Sequence, residues 1–323
     1  MHASSLPLVS VVTPAYNEEK YLGECIESVL AQSYSNWDYT IVDNASTDGT
    51  QAIAQKYATR DPRIRVISNS TLIPAVANFN CALRQISSGS KYCKMVLADD
   101  WIFPECLERM VAVMEAHPSV GIVGAYGQTG QGVLWAGLPY DSKIVSGREV
   151  CRQRLLGGPY VFGSQTSVLF RSDLVRSRDP FYNESNLHAA DSEACFELLK
   201  GSDFGFVYQV LTFSRERDGS LLQASKELNA SAADRLHELV AYGPCYLTAD
   251  EHAECLDTNL SKYYDFLATS LLQWRGKGFW DYHKARLKAD GIGFSYVWLA
   301  GAVSRKILDR FRVPKRESRQ WGL

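Results

Sequence analysis

"VSVVTPAYNEEKYLGECIESVLAQSYSNWDYTIVDNASTDGT", residues 9–50, decides the architecture. It starts with an apolar run that Pro14 stops, which reads as a short buried strand. Leu22, Cys25, Ile26, Val29 and Leu30 then recur at helical spacing and give an amphipathic helix. "DYTIVDN", 38–44, is a second apolar strand. The Ser/Thr/Asp cluster of "STDGT" starts another helix, with Ile53 and Tyr57 on one face. Strand, helix, strand and helix in direct succession is the signature of an α/β sheet.

Working outward, the alternation continues. "RIRVIS" (63–68) is a third strand, and Val76, Phe79, Leu83 and Ile86 mark the next helix. "YCKMVLA" (92–98) is a fourth strand. Pro104 and Glu105 suit a helix's first turn, and Leu107, Met110, Val111 and Met114 continue it. "VGIVGAY" (120–126) is a fifth strand. The pattern predicts a mostly parallel sheet flanked by helices, with ligands bound beyond the C-terminal strand ends. That places "TPAYNEE", "DNAS" and "ADDW" on one rim. From about residue 127 the alternation stops. "GQTGQGVLWAGLP" reads as loop or hairpin, "QTSVLFRSDLV" as a strand leading into a helix, and 191–220 as helix, turn, strand and polar loop. From 221 to 323 the sequence is mainly helical. We therefore expect two parts, 1–220 and 221–323.

Composition narrows the class. With 323 residues and 46% hydrophobic content the chain can bury a full core. A net charge of -2 argues against a nucleic-acid partner. No apolar run reaches membrane-spanning length and no secretory leader is legible, so a cytoplasmic location is expected. Eight cysteines without a C-x-x-C pair read as free, mostly buried thiols.

The chemistry gathers at "VLADDWIFP", 96–104, where an apolar strand runs into Asp99 and Asp100. A carboxylate can cap the following helix, but a cap needs only one. Adjacent carboxylates on a ligand rim repel unless a cation sits between them and a polyanion. Mg2+ or Mn2+ held by one or two carboxylates and substrate phosphates satisfies that requirement.

With these motifs the sequence resembles the family 2 glycosyltransferases of the GT-A fold. The family's elements stand here in order: Pro14, Tyr16 and Asn17 after the first strand; Ser28, Leu30 and Gln32 in the first helix; Val42, Asp43, Asn44, Ser46, Asp48, Gly49 and Thr50 after the second strand; Asn78 before the fourth. The family's metal motif, usually D-x-D, is matched by Ala98, Asp99 and Asp100, with Ala98 in the place of the first aspartate, and the likeness covers about residues 8–220. It implies a donor pocket in which Pro14, Ala15 and Tyr16 wall the nucleotide base and Glu18 lies near the ribose. Asp43 and Asn44 would bond base and ribose, with Asn78 in the same pocket. Asp99 would sit near ribose and metal, and Asp100 would ligate the metal. Where many members have a second aspartate, this chain has Asn44, whose amide is donor and acceptor at once.

The resemblance also implies a catalytic base, an aspartate opening the helix of "HAADSEACFELLKGSDFGFV". Asp191 takes that position, with Ala190 where a glutamate is usual and Glu193 as the alternative carboxylate. "FSRERDGS" resembles the family's Y-R-x-H-x-x-S, with Arg215 and Ser220 matching and Arg217 in place of the histidine. An arginine cannot ligate a metal but pairs well with phosphate. The implied reaction is inverting transfer from a nucleoside diphosphate-sugar, a UDP-sugar favoured, to a saccharide or lipid-linked saccharide in bacterial surface polysaccharide synthesis. The acceptor would lie over "GGPYVFGSQTS", 157–167.

Two rivals are weaker. A dinucleotide-dependent dehydrogenase needs G-x-G-x-x-G after the first strand, where this chain has "TPAYNEE". A non-catalytic sugar or nucleotide binder would lack Asp100 or Asp191, and both are present. The stretch 291–319 puts Tyr296, Trp298, Leu299 and Phe311 among Arg305, Lys306, Arg310, Arg312, Lys315, Arg316 and Arg319, against Asp309 and Glu317. Two readings stay open for it. It lies peripherally on the inner face of the cell membrane, or it is a terminal helix packed on its own domain, with a homodimer contact as a variant.

Overall fold

The computed structural model describes residues 6–217 and 221–312. The described residues fall into two compact units that divide between 223 and 224.

The first unit is built on a mixed sheet. Its strands are β1 (Val9–Ala15), β2 (Trp37–Asp43), β3 (Ile64–Ser68), β4 (Tyr92–Met95), β5 (Trp101–Ile102), β6 (Val120–Thr129), β7 (Gly132–Leu134), β8 (Ile144–Val145), β9 (Leu169–Arg171) and β10 (Asp203–Phe213). The order is β3-β2-β1-β4-β9-β6-β10-β5, with β7 on β6 and β8 on β10. β3, β2, β1 and β4 pair in parallel, as do β6 and β10. β9 is antiparallel to both β4 and β6 and sits between them, so β6 still runs with β4. The six longer strands thus share one direction, and their C-terminal ends form one rim.

The helices of this unit are α1 (Leu22–Leu30), α2 (Thr50–Ala58), α3 (Ala75–Leu83), α4 (Cys106–Ala116), α5 (Gly147–Leu155), α6 (Ser172–Arg176) and α7 (Ala190–Leu198). Every residue of β1 is buried, as a strand covered on both faces requires. α1 turns Leu22, Cys25, Ile26 and Val29 inward, four of the five residues its spacing singled out, with Leu30 half-buried. Each such side chain contributes about 1.5–3 kcal/mol of burial. α4 starts at Cys106 rather than at Pro104, with Leu107, Met110, Val111 and Met114 buried. "GQTGQGVL" is a β6–β7 hairpin. The short β5 and β8 and helix α5 lie in stretches whose composition carries no clear period.

The family motifs explain how the rim is held. Gln32 Nε2 donates to the carbonyls of Ser28 and Phe103, both at 2.9 Å, and its Oε1 accepts from Leu107 N at 3.0 Å. Ser28 Oγ accepts from Ile102 N at 3.2 Å. α1 is thereby bolted to the segment that follows Asp99 and Asp100. After β1 and β2, Asn17 Oδ1 accepts from Thr47 N (2.8 Å), Asn17 N donates to Ser46 Oγ (3.0 Å) and Glu18 N donates to Thr50 Oγ1 (2.6 Å). Asn17 adopts φ 52°, the left-handed region that asparagine tolerates better than most residues.

The second unit is helical. α8 (Leu221–Leu228) leads into α9 (Ala230–Tyr246), α10 (Ala249–Leu272), α11 (Lys277–Ala289) and α12 (Tyr296–Arg312). Thr248 and Glu251 form a reciprocal capping box at the head of α10. Leu236, Tyr263, Tyr264, Leu267, Phe279, Leu287, Leu299 and Ala302 make its core. α12 packs one face on α10 through Leu299 and Ala302, while Tyr296, Val297, Trp298, Ile307 and Leu308 are exposed. Lys315, Arg316, Glu317 and Arg319 lie outside the described residues, as do the side chains of 309–312. No described helix is long and apolar enough to cross a membrane. All eight cysteines are free, and Cys25, Cys93, Cys106, Cys151 and Cys195 are buried.

Candidate functional site

The site grows from the end of β4. The strand stops at Met95, and the chain turns so that Asp100 N donates to Leu97 O at 3.0 Å. Asp100 points inward and is buried. Its Oδ2 accepts from Thr166 Oγ1 at 2.7 Å and Ser214 Oγ at 3.4 Å, and its Oδ1 from Arg215 N at 3.0 Å. These partners are all neutral donors. Burial, and then the charge of Asp99, push the Asp100 carboxyl up to about 7.

Asp99 faces the segment after β10. Arg217 Nε donates to Asp99 Oδ2 at 2.9 Å, and Arg217 Nη2 reaches Glu18 Oε1. Arg215 Nε donates to Asp99 O at 3.1 Å, and its Nη2 pairs with Glu24 Oε2 at 2.5 Å. The Arg215 guanidinium also lies 4.4 Å from the Tyr21 ring centroid and 5.0 Å from that of Trp101. Glu18 Oε2 is buried with no partner. Burial and Asp99 raise the Glu18 carboxyl to about 7 against the pull of Arg217. Glu18, Asp99, Asp100, Arg215 and Arg217 are thus one cluster drawn from three distant stretches. Ser220, expected beside them, lies outside the described residues.

A second group forms around the end of β2. Pro14 and Ala15 pair in register with Val42 and Asp43. Asp43 is buried, and its Oδ1 has no partner. Tyr16 is 42% exposed beside them. The Asn44 amide is engaged with the loop after β3: Nδ2 donates to Ile73 O at 2.8 Å, and Oδ1 accepts from Ile73 N at 3.1 Å and Asn69 Nδ2 at 2.9 Å. Asn69 Nδ2 also donates to Asn78 Oδ1 at 3.0 Å. Asn44 and Asn78 are therefore two ends of one amide chain that sets the 69–73 loop.

Asp191 comes from a further element, α7. It lies in the first turn of α7, where Ala189 holds the cap position, and its Oδ1 accepts from Ser192 N at 2.9 Å. Tyr182, buried with an unpartnered hydroxyl, feels its charge. Glu193 differs sharply. It is buried, with Oε2 accepting from Asn183 Nδ2 at 2.9 Å and Oε1 accepting from Asn186 Nδ2. Its carboxylate holds the loop before α7 in place.

Several residues escaped the sequence reading. Lys94 is wholly buried on β4 and donates to Thr166 O at 2.5 Å and Val168 O at 3.2 Å. It fixes the 3-10 turn Gln165–Ser167 whose Thr166 hydroxyl reaches Asp100. A lysine inside the apolar run "YCKMVLA" was the available signal. Beyond that turn, Trp135 Nε1 donates to Ser167 Oγ at 2.9 Å, and the Trp135 and Tyr160 rings meet edge to face at 5.6 Å. Asn69 and Tyr21 carried no pattern at all.

The donor set fits a hard divalent cation. Asp100 is a buried carboxylate without an ionic partner, next to Asp99, and oxygen ligands of this kind suit Mg2+ or Mn2+. Among the described residues no group of three or more His, Cys, Asp or Glu encloses an ion by itself. An ion here would complete its shell from substrate oxygens and water.

Known proteins similar to this chain include glycosyltransferases. The sequence profile of glycosyl transferase family 2 matches residues 10–178. The putative glycosyltransferase EpsE of Bacillus subtilis (strain 168) is 35% identical over 252 residues, covering 72% of this chain and 87% of that protein. The putative teichuronic acid biosynthesis glycosyltransferase TuaG of the same organism is 38% identical over 108 residues, 33% of this chain and 42% of TuaG. In fold, the chain is similar to S. aureus TarS 1-349 in complex with UDP-GlcNAc, with TM-score 0.65, 18% identity and coverage of 93% of this chain and 88% of that one. By profile, by identity along most of its length and by fold, the chain belongs to glycosyl transferase family 2.

Proposed function

We propose that this glycosyltransferase inverts the sugar it transfers, takes it from a nucleoside diphosphate-sugar with the help of a divalent metal, and serves bacterial surface polysaccharide synthesis. The observation that carries the reading is the cluster of Asp99, Asp100, Arg215 and Arg217 on the sheet rim, carboxylates for a cation and guanidiniums for a diphosphate. The teichuronic acid assignment of TuaG supports the cell-surface role.

The nucleotide base rests against Pro14, Ala15 and Tyr16. Asp43 Oδ1 is a buried acceptor in search of a donor, and a carboxylate accepts only. Uracil and guanine offer a ring N–H there, and adenine and cytosine do not. UDP is favoured, the nucleotide found with TarS. Asn44 and Asn78 act through the loop they set, and Glu18 holds Arg217 at the ribose–diphosphate end.

Asp100 with Asp99 would hold a divalent ion, which would supply charge neutralisation at the diphosphate. Asp191 accepts the proton of the acceptor hydroxyl. That oxygen attacks the anomeric carbon from the side opposite the diphosphate, whose bond to the sugar breaks. Arg215 and Arg217 carry the charge that develops on the leaving phosphate. The acceptor, a saccharide or a lipid-linked saccharide, lies over 157–167 with Trp135 and Tyr160 as a stacking surface.

The test is a screen of nucleotide sugars for donor hydrolysis with Mg2+, Mn2+ or EDTA, followed by product stereochemistry on candidate acceptors. Metal-stimulated hydrolysis of a UDP-sugar and an inverted product support the reading. Full activity in EDTA removes the metal, and a retained anomeric configuration removes the single-displacement mechanism.

A further inference from the structure

The second unit carries a surface that sugar transfer does not use. On α12 the inward side chains Leu299 and Ala302 fill the helical core, yet the outward face is apolar as well. Tyr296 is 68% exposed and Val297 is 81% exposed, and Trp298, Ile307 and Leu308 are open to solvent. Between them the helix presents Ala300, Gly301, Ser304 and Arg305 outward, the last paired with Asp265. Monomeric proteins seldom leave an aromatic and aliphatic stripe of this kind uncovered.

Beside the stripe lies a cleft of about 430 Å³ whose walls include Lys284, Lys288, Phe294 and Tyr296. Lys284 Nζ sits 5.2 Å from the Phe294 ring centroid and 5.7 Å from that of Tyr296, and the two rings meet at 5.1 Å. The Lys284 ammonium therefore sits over both aromatic faces and donates to Tyr296 Oη at 3.5 Å, and Lys288 lines the same cleft. Lys306 is on the same helix as the stripe, and the sequence beyond it adds Lys315, Arg316 and Arg319 against Glu317. The acids nearest in sequence are Asp281 and Asp290, the latter paired with His237 at 2.5 Å, and Asp309 after Leu308, while Asp265 is engaged by Arg305 at 2.8 Å.

We propose that this face of α12 docks on an anionic lipid surface, with Tyr296, Val297, Trp298 and Leu308 entering the headgroup layer and Lys284 and Lys288 meeting lipid phosphates. Aromatic rings next to lysines are the side chains that bilayer interfaces favour. Charge decides against the alternative occupant, a second copy of this chain. A two-fold contact puts the same patch against itself, bringing Lys284, Lys288 and Lys306 toward their own images. An anionic headgroup layer neutralises them instead. No described helix is long and apolar enough to span a bilayer, so the attachment lies in the plane of the interface.

Vesicle flotation of the full-length protein tests this, using phosphatidylcholine alone and an equal mixture with phosphatidylglycerol. The expected result is flotation with the anionic vesicles that fades as salt rises. A Lys284→Gln/Lys288→Gln variant should bind them roughly twenty-five-fold more weakly, at about fivefold for each lysine, and keep its donor turnover in solution. A Val297→Ser/Leu308→Ser variant should lose flotation while its thermal unfolding stays unchanged, because both side chains already face solvent. Absence of flotation by the wild-type chain overturns the proposal. So does equal flotation with neutral vesicles that ignores the lysine changes. A concentration-dependent dimer that Val297→Ser/Leu308→Ser breaks, with no vesicle binding, reassigns the face to self-association.

Discussion

Asp191 and Glu193 stand two residues apart on α7, and their surroundings predict opposite failures. In Asp191→Asn the amide oxygen keeps the bond from Ser192 N, now 2.9 Å, so the head of the helix is preserved. What is lost is basicity. General-base contributions of about 10²–10⁴ set the expected fall in transfer, which is about 3–5 kcal/mol of barrier. Removing one negative charge from the first turn costs the fold only about 0.3–1 kcal/mol. In Glu193→Gln the loss is structural. Both carboxylate oxygens accept from amides, Asn183 and Asn186, so one of them becomes an NH2 facing another NH2. Leaving a buried donor unsatisfied costs about 1–3 kcal/mol, or a drop in melting temperature of about 2–12 °C at this domain size. The assay pairs product formation per folded molecule with donor affinity by calorimetry and with thermal melts. Asp191→Asn should bind donor normally and melt normally while transfer collapses. Glu193→Gln should melt early and transfer normally. If Glu193→Gln abolishes transfer at wild-type stability and Asp191→Asn remains active, the base has been assigned to the wrong carboxylate.

Further outcomes follow from single contacts. Asp100→Ala should abolish metal-stimulated donor hydrolysis and weaken donor binding, and a variant as active as the wild type under saturating Mg2+ contradicts its place at the metal. Lys94→Met leaves the carbonyls of Thr166 and Val168 without their buried donor, so thermal melts should show a loss of about 1–3 kcal/mol; an unchanged melting temperature denies Lys94 its role in fixing the turn beneath Asp100. His283 is wholly buried, donates from Nε2 to Leu228 O at 2.9 Å and accepts at Nδ1 from Tyr263 Oη at 2.6 Å, and burial pulls it down from 6.5 to about 4. The unfolded chain takes up a proton below 6.5 that the folded unit refuses, so stability present above 6.5 is lost as pH falls toward 4, by up to about 3 kcal/mol. Denaturation midpoints measured across that window should slope in the wild type and flatten in His283→Gln; equal slopes point to other groups.

The alternation of apolar strands and amphipathic helices in residues 9–126 was enough to specify the parallel part of the sheet, because periodicity reports which face of each element is buried and burial is a local property. The ends of those strands were equally legible. Pro14, Asp43 and the Asp99–Asp100 pair mark the places where apolar runs meet charge, and they do lie on one rim. Tertiary structure decided everything that depends on pairing between distant segments. Nothing near Leu169–Arg171 says that β9 will enter antiparallel between β4 and β6, since strand register is set by partners far away in the chain. The same holds for the site. Arg217 finds Asp99 across 118 residues, Thr166 reaches Asp100 across 66, and Lys94 is buried because the carbonyls of 166 and 168 come to it. The amide of Asn44 is engaged by Ile73 and Asn69, and the carboxylate of Glu193 by two asparagines, so what these residues can offer a ligand was fixed by their neighbours in space. A sequence names the functional groups available. Which of them remain free to act depends on hydrogen-bond partners that only the closed fold brings within about 3 Å.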